Sequence, residues 1–82
     1  SFEGKINERQ EKALLRMFAE GPDGFQGGMS ADKYMAITKA TRPTATRDLA
    51  DLVKKGGLVK RGRLRHTRYY LPEVPDRGSA SH

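Results

Sequence analysis

Apolar residues recur at helical spacing in three stretches of the chain. In the first, Asn7 and Gln10 fit a capping box that opens a helix, and Gly21 with Pro22 is expected to stop this helix after Glu20. Its apolar stripe is predicted to comprise Ala13, Leu14, Leu15, Met17 and Phe18. Acidic and basic residues share the remaining positions, so we interpret this element as a scaffold helix.

A glycine-rich segment, GPDGFQGG, precedes the second helical stretch. It fits neither common glycine-rich phosphate-binding pattern, so it is interpreted as a connection with Phe25 packed on the core. Met29 is expected to lie in a short strand that pairs with a later hairpin. Ser30 should cap the second helix, which ends near Thr38 or Lys39.

The third stretch begins at Thr41, whose hydroxyl is expected to cap a helix. Pro43 is tolerated in the first turn, and Gly56 with Gly57 ends the helix. An inward apolar stripe is predicted from Ala45, Leu49, Leu52 and Val53. Outside this stripe, the first two turns of the helix carry only short side chains and arginines, namely Arg42, Pro43, Thr44, Thr46 and Arg47. Such a helix end can approach base edges in the DNA major groove, because no bulky side chain holds it away.

Two short strands are predicted after the third helix, over residues 58–61 and 67–71, joined by residues 62–66. Tyr69 and Leu71 would share one face of the second strand, with Arg68 and Tyr70 on the other. His66 would lie at the hairpin tip, in solvent or against a phosphate.

The order of these elements predicts an α+β fold, the winged helix-turn-helix. It consists of a helix, a short turn at residues 39–41, a second helix and a basic hairpin. From the helix spacing alone, an ordinary helical hairpin is an equal alternative. We expect an N-terminal extension at residues 1–6, the winged-helix domain at residues 7–71 and a disordered tail at residues 72–82.

The net charge of +6 is concentrated in one part of the chain. Residues 1–53 carry eight basic and eight acidic side chains, and residues 72–82 carry one basic and two acidic side chains. Residues 54–71 carry seven basic side chains and no acidic one. Positive potential concentrated in this way attracts polyanions, although a solvated basic surface is the simpler alternative.

The composition argues against several other classes of protein. The chain has no cysteine and only two distant histidines, so neither a disulfide nor a metal site is expected, and no cofactor is predicted. No apolar run or signal-peptide pattern suggests a membrane partner, and a cytoplasmic location is the expectation. No catalytic constellation is present at a usable spacing, so the chain is not expected to be an enzyme.

Double-stranded DNA is therefore the leading predicted partner. Base edges or nearby phosphates would be contacted by Arg42, Thr44, Thr46 and Arg47, and the DNA backbone by Lys60, Arg61, Arg63, Arg65 and Arg68. Asp51 weakens this hypothesis slightly, because it is expected on the same outward face. The alternative is a protein-interaction module that uses Tyr70 as an exposed aromatic anchor.

Three segments of the chain, INERQEKALLRMF, GGMSADKY and TATRDLADLVKKGGL, resemble the C-terminal winged-helix domain of some Fic-family proteins. The resemblance extends from Ile6 to Leu71, and the last segment also resembles DeoR-type regulators. Fic proteins transfer AMP or another phosphate-containing group through a motif H-x-F-x-[DE]-G-N-G-R, which is absent here. The resemblance therefore implies an accessory domain without catalysis, which binds DNA, the Fic catalytic domain of the same parent chain or a like subunit.

Overall fold

A computed structural model describes residues 5–21 and 25–72 of the chain. It contains three α-helices and two antiparallel strands. In chain order these are α1 (Glu8–Ala19), α2 (Ala31–Thr38), α3 (Arg42–Lys54), β1 (Val59–Arg61) and β2 (Arg68–Tyr70), with a 3₁₀ turn at Leu64–His66 between the strands. This confirms the predicted α+β class and the winged-helix layout. The predicted disordered tail from residue 73, most of the N-terminal extension and Pro22 lie outside the described residues.

Helix α1 begins as predicted and buries a narrower face than predicted. The side chain of Asn7 accepts a hydrogen bond from the Gln10 amide, and the side chain of Gln10 accepts one from the Asn7 amide, each at 2.8 Å. Ala13, Leu14 and Met17 are buried with Gln10, whereas Leu15 and Phe18 are each 59% exposed. Including Leu15 and Phe18 in the inward stripe was wrong, because they lie about 140° and 80° around the helix from Gln10.

The turn between α2 and α3 is as short as predicted. The Ser30 side chain caps α2 by accepting a hydrogen bond from the Lys33 amide at 3.1 Å, and Lys39 ends the helix with a left-handed φ of 64°. Thr41 has the extended backbone of an N-cap, but its hydroxyl makes no capping bond and instead donates to Thr44 Oγ1 at 3.2 Å. The predicted hydroxyl cap is therefore wrong.

Helix α3 ends at the glycine pair. The Gly57 amide donates to the Leu52 carbonyl at 2.8 Å and the Gly56 amide to the Val53 carbonyl at 3.1 Å, with Gly56 in the left-handed region at φ 85°. This Schellman arrangement satisfies two of the carbonyls left open at the end of a helix. The chain then turns sharply into β1.

The core joins the helices to the hairpin. Its buried residues are Ala13, Leu14, Met17, Phe25, Met29, Tyr34, Ala45, Leu49, Leu52, Leu58 and Tyr69. Met29 and Tyr69 exchange two backbone hydrogen bonds, at 2.8 and 2.9 Å, which confirms the expected pairing near Met29 as a single bridge. The hairpin is thus attached to the core by Tyr69, and its orientation relative to α3 is set by that packing.

The wing, defined here as residues 59–70, depends on a tight turn at Gly62. Gly62 has φ 80°, and a Cβ placed there would lie 2.5 Å from the carbonyl oxygen of His66. Only glycine can occupy this position without moving the backbone.

Within residues 5–21 and 25–72, no helix has both the length and the apolar content needed to cross a bilayer.

Candidate nucleic-acid interface

A groove of about 440 Å³ opens between the N-terminal turns of α2 and α3 and the wing. The side chains that give it its chemistry are Asp32, Arg42, Thr46, Leu64, Arg65 and Arg68. Two elements that are separate in sequence, the outward end of α3 and the basic wing, therefore share one concave surface. Three arginines and one carboxylate give this surface a net positive charge.

The predicted residues of α3 differ in their surroundings. Arg42 Nη2 lies 2.5 Å from Asp32 Oδ1, and both side chains are largely exposed, at 60% and 78%. Thr46 and Arg47 are exposed, whereas Thr44 is half-buried and accepts the Thr41 hydroxyl. Of these four, Arg42 and Thr46 line the groove.

The predicted residues of the wing are mostly available to solvent. Lys60, Arg61, Arg63 and Arg65 are exposed. Arg68 is half-buried, and its Nη1 donates to the Thr67 carbonyl at 2.9 Å. The groove brings Arg65 and Arg68 together with α3, while Lys60, Arg61 and Arg63 lie outside its lining. His66 is exposed in the 3₁₀ turn.

Tyr70 is not the exposed aromatic anchor that the strand pattern predicted. It is half-buried, and its hydroxyl donates to the Gly27 carbonyl at 3.2 Å. The guanidinium of Arg61 lies 5.9 Å from the centre of the Tyr70 ring. A Cβ on Gly28 would lie 2.8 Å from Tyr70 Cζ, so the ring rests directly on the backbone of the loop.

A polar cluster centred on the buried carboxylate of Asp48 connects α3 to the other two helices. This Asp48 cluster consists of Asn7, Arg9, Gln10, Tyr34 and Asp48. Asp48 is 4% exposed, and its two carboxylate oxygens accept four hydrogen bonds from three side chains. Arg9 donates twice, at 2.7 and 3.1 Å, the Tyr34 hydroxyl donates at 2.7 Å, and Asn7 Nδ2 donates at 3.1 Å. The cluster therefore links α3 to the start of α1 through Asn7, Arg9 and Gln10, and to α2 through Tyr34.

These contacts shift the pKa values of the cluster in directions that favour the ion pair. Burial by itself would raise the pKa of Asp48, but the hydrogen bonds from Arg9, Tyr34 and Asn7 outweigh it and lower the pKa below the usual 3.8. Burial, followed by the hydrogen bond to Asp48, raises the pKa of Tyr34 above its usual 10.0. Asp48 is therefore an anion and Tyr34 a neutral donor across the physiological range.

Asp51 faces the scaffold and not the outward surface on which it was predicted. Its Oδ2 accepts a hydrogen bond from Gln10 Nε2 at 3.0 Å and lies 2.9 Å from Lys55 Nζ. Hydrogen bonds first from Gln10 and then from Lys55 lower its pKa. The objection that Asp51 raised against DNA binding is removed, and Lys55 is occupied by the scaffold, where it also donates to the Lys5 carbonyl.

Sequence reasoning missed three residues that matter here. At about 100° per residue, Asp48 lies about 40° beyond Leu52 at the edge of the apolar stripe of α3, so an acid bordering that stripe was a readable signal for a buried ion pair. Leu64 stands between two arginines in a predicted tip, which was a weaker signal. No spacing rule places Asp32 beside a residue ten positions later.

No group of three or more histidine, aspartate or glutamate side chains within residues 5–21 and 25–72 is arranged to hold a metal ion. No protein-family model matches this sequence, and comparison with curated proteins gives no match either.

Proposed function

We propose that this chain is a DNA-binding winged-helix domain, with α3 in the major groove and the wing along the adjacent backbone. The observation that carries the proposal is the groove, where Arg42 and Thr46 of α3 lie on the same surface as Arg65 and Arg68 of the wing. A duplex is a ligand wide enough to engage both elements, since its major groove admits a helix while its phosphates lie on either side.

Asp32 has a defined part in this proposal. Its carboxylate contacts Arg42 at the groove edge, and an arginine held on one side by a carboxylate presents its remaining N–H donors in a fixed plane. Bidentate donation from such a plane is the usual way to recognise guanine. Because both side chains are exposed, the pair can also separate and leave Arg42 to contact a phosphate.

The test is a titration of the 82-residue chain with mixed-sequence duplexes at several salt concentrations. Affinity should fall steeply between roughly 50 and 200 mM salt, with a log–log slope of about −0.9 for each phosphate neutralised. Arg63→Ala should weaken binding to all duplexes alike, because Arg63 would contact backbone. Arg47→Ala should change the order of preference among duplexes, because Arg47 would reach base edges.

A matched control is available on the scaffold. Arg16 is an exposed arginine of α1 whose guanidinium lies 5.8 Å from the Phe25 ring centre, away from the groove lining. Arg16→Ala removes the same charge and should leave the salt slope unchanged. Equal losses from Arg16→Ala and Arg63→Ala would mean that net charge alone attracts DNA. Flat titrations at low salt would rule out the proposed function.

A second candidate function is docking on another protein through α1. Leu15 and Phe18 are neighbours on one side of α1 and are each 59% exposed, so α1 offers the apolar contact that Tyr70 does not. Sedimentation of the chain at increasing concentration tests self-association, and a pull-down with a Fic catalytic domain tests heterologous docking. Leu15→Glu should abolish either association if α1 is the contact surface.

The resemblance to Fic-family proteins supports a proposal about the setting of the domain. We infer an accessory, non-catalytic module of such a protein, acting in the cytoplasm. DNA binding through the groove and docking through α1 use different residues, so a parent protein could combine both.

A further inference from the structure

Leu64 is the most exposed large apolar residue of the described chain, at 90%. It lies at the start of the 3₁₀ turn in the wing, between the exposed side chains of Arg63 and Arg65. It also lines the groove beside Arg42 and Thr46. A leucine at this point adds nothing to the core, whose members lie elsewhere.

The backbone of Leu64 is strained as well. Its φ is 54°, in the left-handed region that is costly for leucine and ordinary for glycine or asparagine. The Leu64 carbonyl accepts the Thr67 amide at 3.2 Å, a contact that any residue could make. The Leu64 side chain is therefore unsuited to its backbone conformation and gains no stabilisation from packing in the core. Backbone strain of this kind is concentrated at functional sites.

We infer that Leu64 is an apolar wedge that enters the DNA minor groove and partly unstacks one base step. This inference rests on the proposed function and adds a mode of recognition to it. Leucine is among the side chains that architectural proteins insert in this way, and cationic side chains beside such a wedge neutralise the phosphates that border the groove. Arg63 and Arg65 lie on either side of Leu64 in the sequence and supply that second element.

Other occupants suit the tip less well. Stable binding to a lipid surface would need far more apolar surface than one leucine offers, since even a single myristoyl chain gives only marginal membrane binding. A protein pocket would leave the cations around Leu64 to be neutralised by a strongly acidic partner. A base step meets both needs, because it offers an apolar stack edge directly between two phosphate strands.

The experiment measures base unstacking directly. An A·T-rich duplex of about 20 base pairs carries TA steps, which are easily unstacked, and a fluorescent adenine analogue at one of them. Binding of the unmodified chain at about 50 mM salt should raise the fluorescence of the analogue. Leu64→Ala should abolish this rise and weaken binding by about fivefold, since it removes most of the apolar surface that the wedge buries.

Two variants control for folding and for general loss of apolar surface. Leu64→Gly relieves the left-handed φ, so the thermal midpoint should be equal or higher while the fluorescence rise is lost. Leu15→Ala shortens a leucine that is exposed on α1, outside the groove lining, and should keep the fluorescence rise, whatever its effect on any docking through α1.

The possible failures are distinct. Salt-dependent duplex binding without a fluorescence rise, or with a rise that survives Leu64→Ala, would overturn the wedge and leave the proposed function standing. No duplex binding by the unmodified chain would overturn both. Leu64-dependent binding to phosphatidylserine vesicles without unstacking would assign the tip to a membrane surface and also overturn the wedge.

Discussion

The Asp48 cluster and the wing use the same kinds of side chain in opposite ways. Arg9 places two hydrogen bonds on a buried carboxylate, and no buried side-chain nitrogen or oxygen in the described residues lacks a partner. Arg63 and Arg65 are exposed, and neither forms an ion pair within the described part of the chain. The first arrangement stabilises the fold, and the second is available to a ligand.

The difference shows that net charge is a poor guide to function until each charge is placed. Residues 54–71 carry seven basic side chains, yet Lys55 is held by Asp51 and the Arg68 guanidinium is partly used by the wing backbone. Conversely, Arg42 belongs to the electrically neutral first 53 residues and lies in the groove. The groove is therefore assembled by tertiary structure and not by the basic stretch alone.

The largest expected effect comes from removing the centre of the cluster. Asp48→Ala leaves the buried Tyr34 hydroxyl and the Arg9 guanidinium without their acceptor. We expect a loss of about 3 kcal/mol in the free energy of unfolding, the lower end of the range for buried pairs. The lower end applies because the Arg9 side chain is 42% exposed and can turn to water. The thermal midpoint should fall by roughly 15 °C, as measured by circular dichroism.

Asp32→Ala is the matched control, since it removes an aspartate whose side chain is 78% exposed beside Arg42. It should leave the thermal midpoint unchanged and alter duplex binding instead. Equal destabilisation by Asp32→Ala and Asp48→Ala would contradict the division between scaffold and interface.

The next largest effect comes from disrupting the turn of the wing and not the Asp48 cluster. Gly62→Ala places a Cβ 2.5 Å from the His66 carbonyl oxygen at φ 80°, so the turn must open. We expect a loss of about 2 kcal/mol in urea titrations, because strain and a backbone clash act together. At a temperature where both variants remain folded, duplex affinity should fall more for Gly62→Ala than for Asp48→Ala.

Gly27→Ala separates the clash from the backbone conformation. Gly27 has nearly the same φ, 79°, but a Cβ there meets no atom within 4 Å. It should cost only the left-handed conformation, about 1 kcal/mol. Similar losses from both substitutions would show that the wing turn tolerates the added methyl group.

The helices were predictable because their signals are local. The Asn7 capping box, the Ser30 cap and the paired glycines after α3 each act within a few residues, and the structure confirms all three. Three of the four strand ends differ from the predicted ends by one residue, because a short hairpin has little periodicity to read. Fold class followed from the order of these local elements.

The composition of the groove was only partly predictable. Arg42, Thr46, Arg65 and Arg68 were on the predicted surface, but Asp32 and Leu64 depend on how the wing packs against α2 and α3. That packing is set by Tyr69 and its bridge to Met29, a contact across 40 residues. Long-range contacts of this kind carry no periodic signal in a single sequence.

The smallest effect is the dependence of stability on acid, and it identifies the cluster by the sign of the change. The pKa of Asp48 is lower in the folded chain than its usual 3.8, so the stabilisation is fully present above that value. It is lost as pH falls through the folded pKa, because the unfolded chain then binds more protons than the folded one. Urea titrations across this range should show the unfolding free energy falling with pH, with a slope that is reduced in Asp48→Asn. An unchanged slope in Asp48→Asn would contradict an ionic role for the Asp48 cluster. The acid sensitivity would then be assigned to Asp51, whose pKa is also lowered.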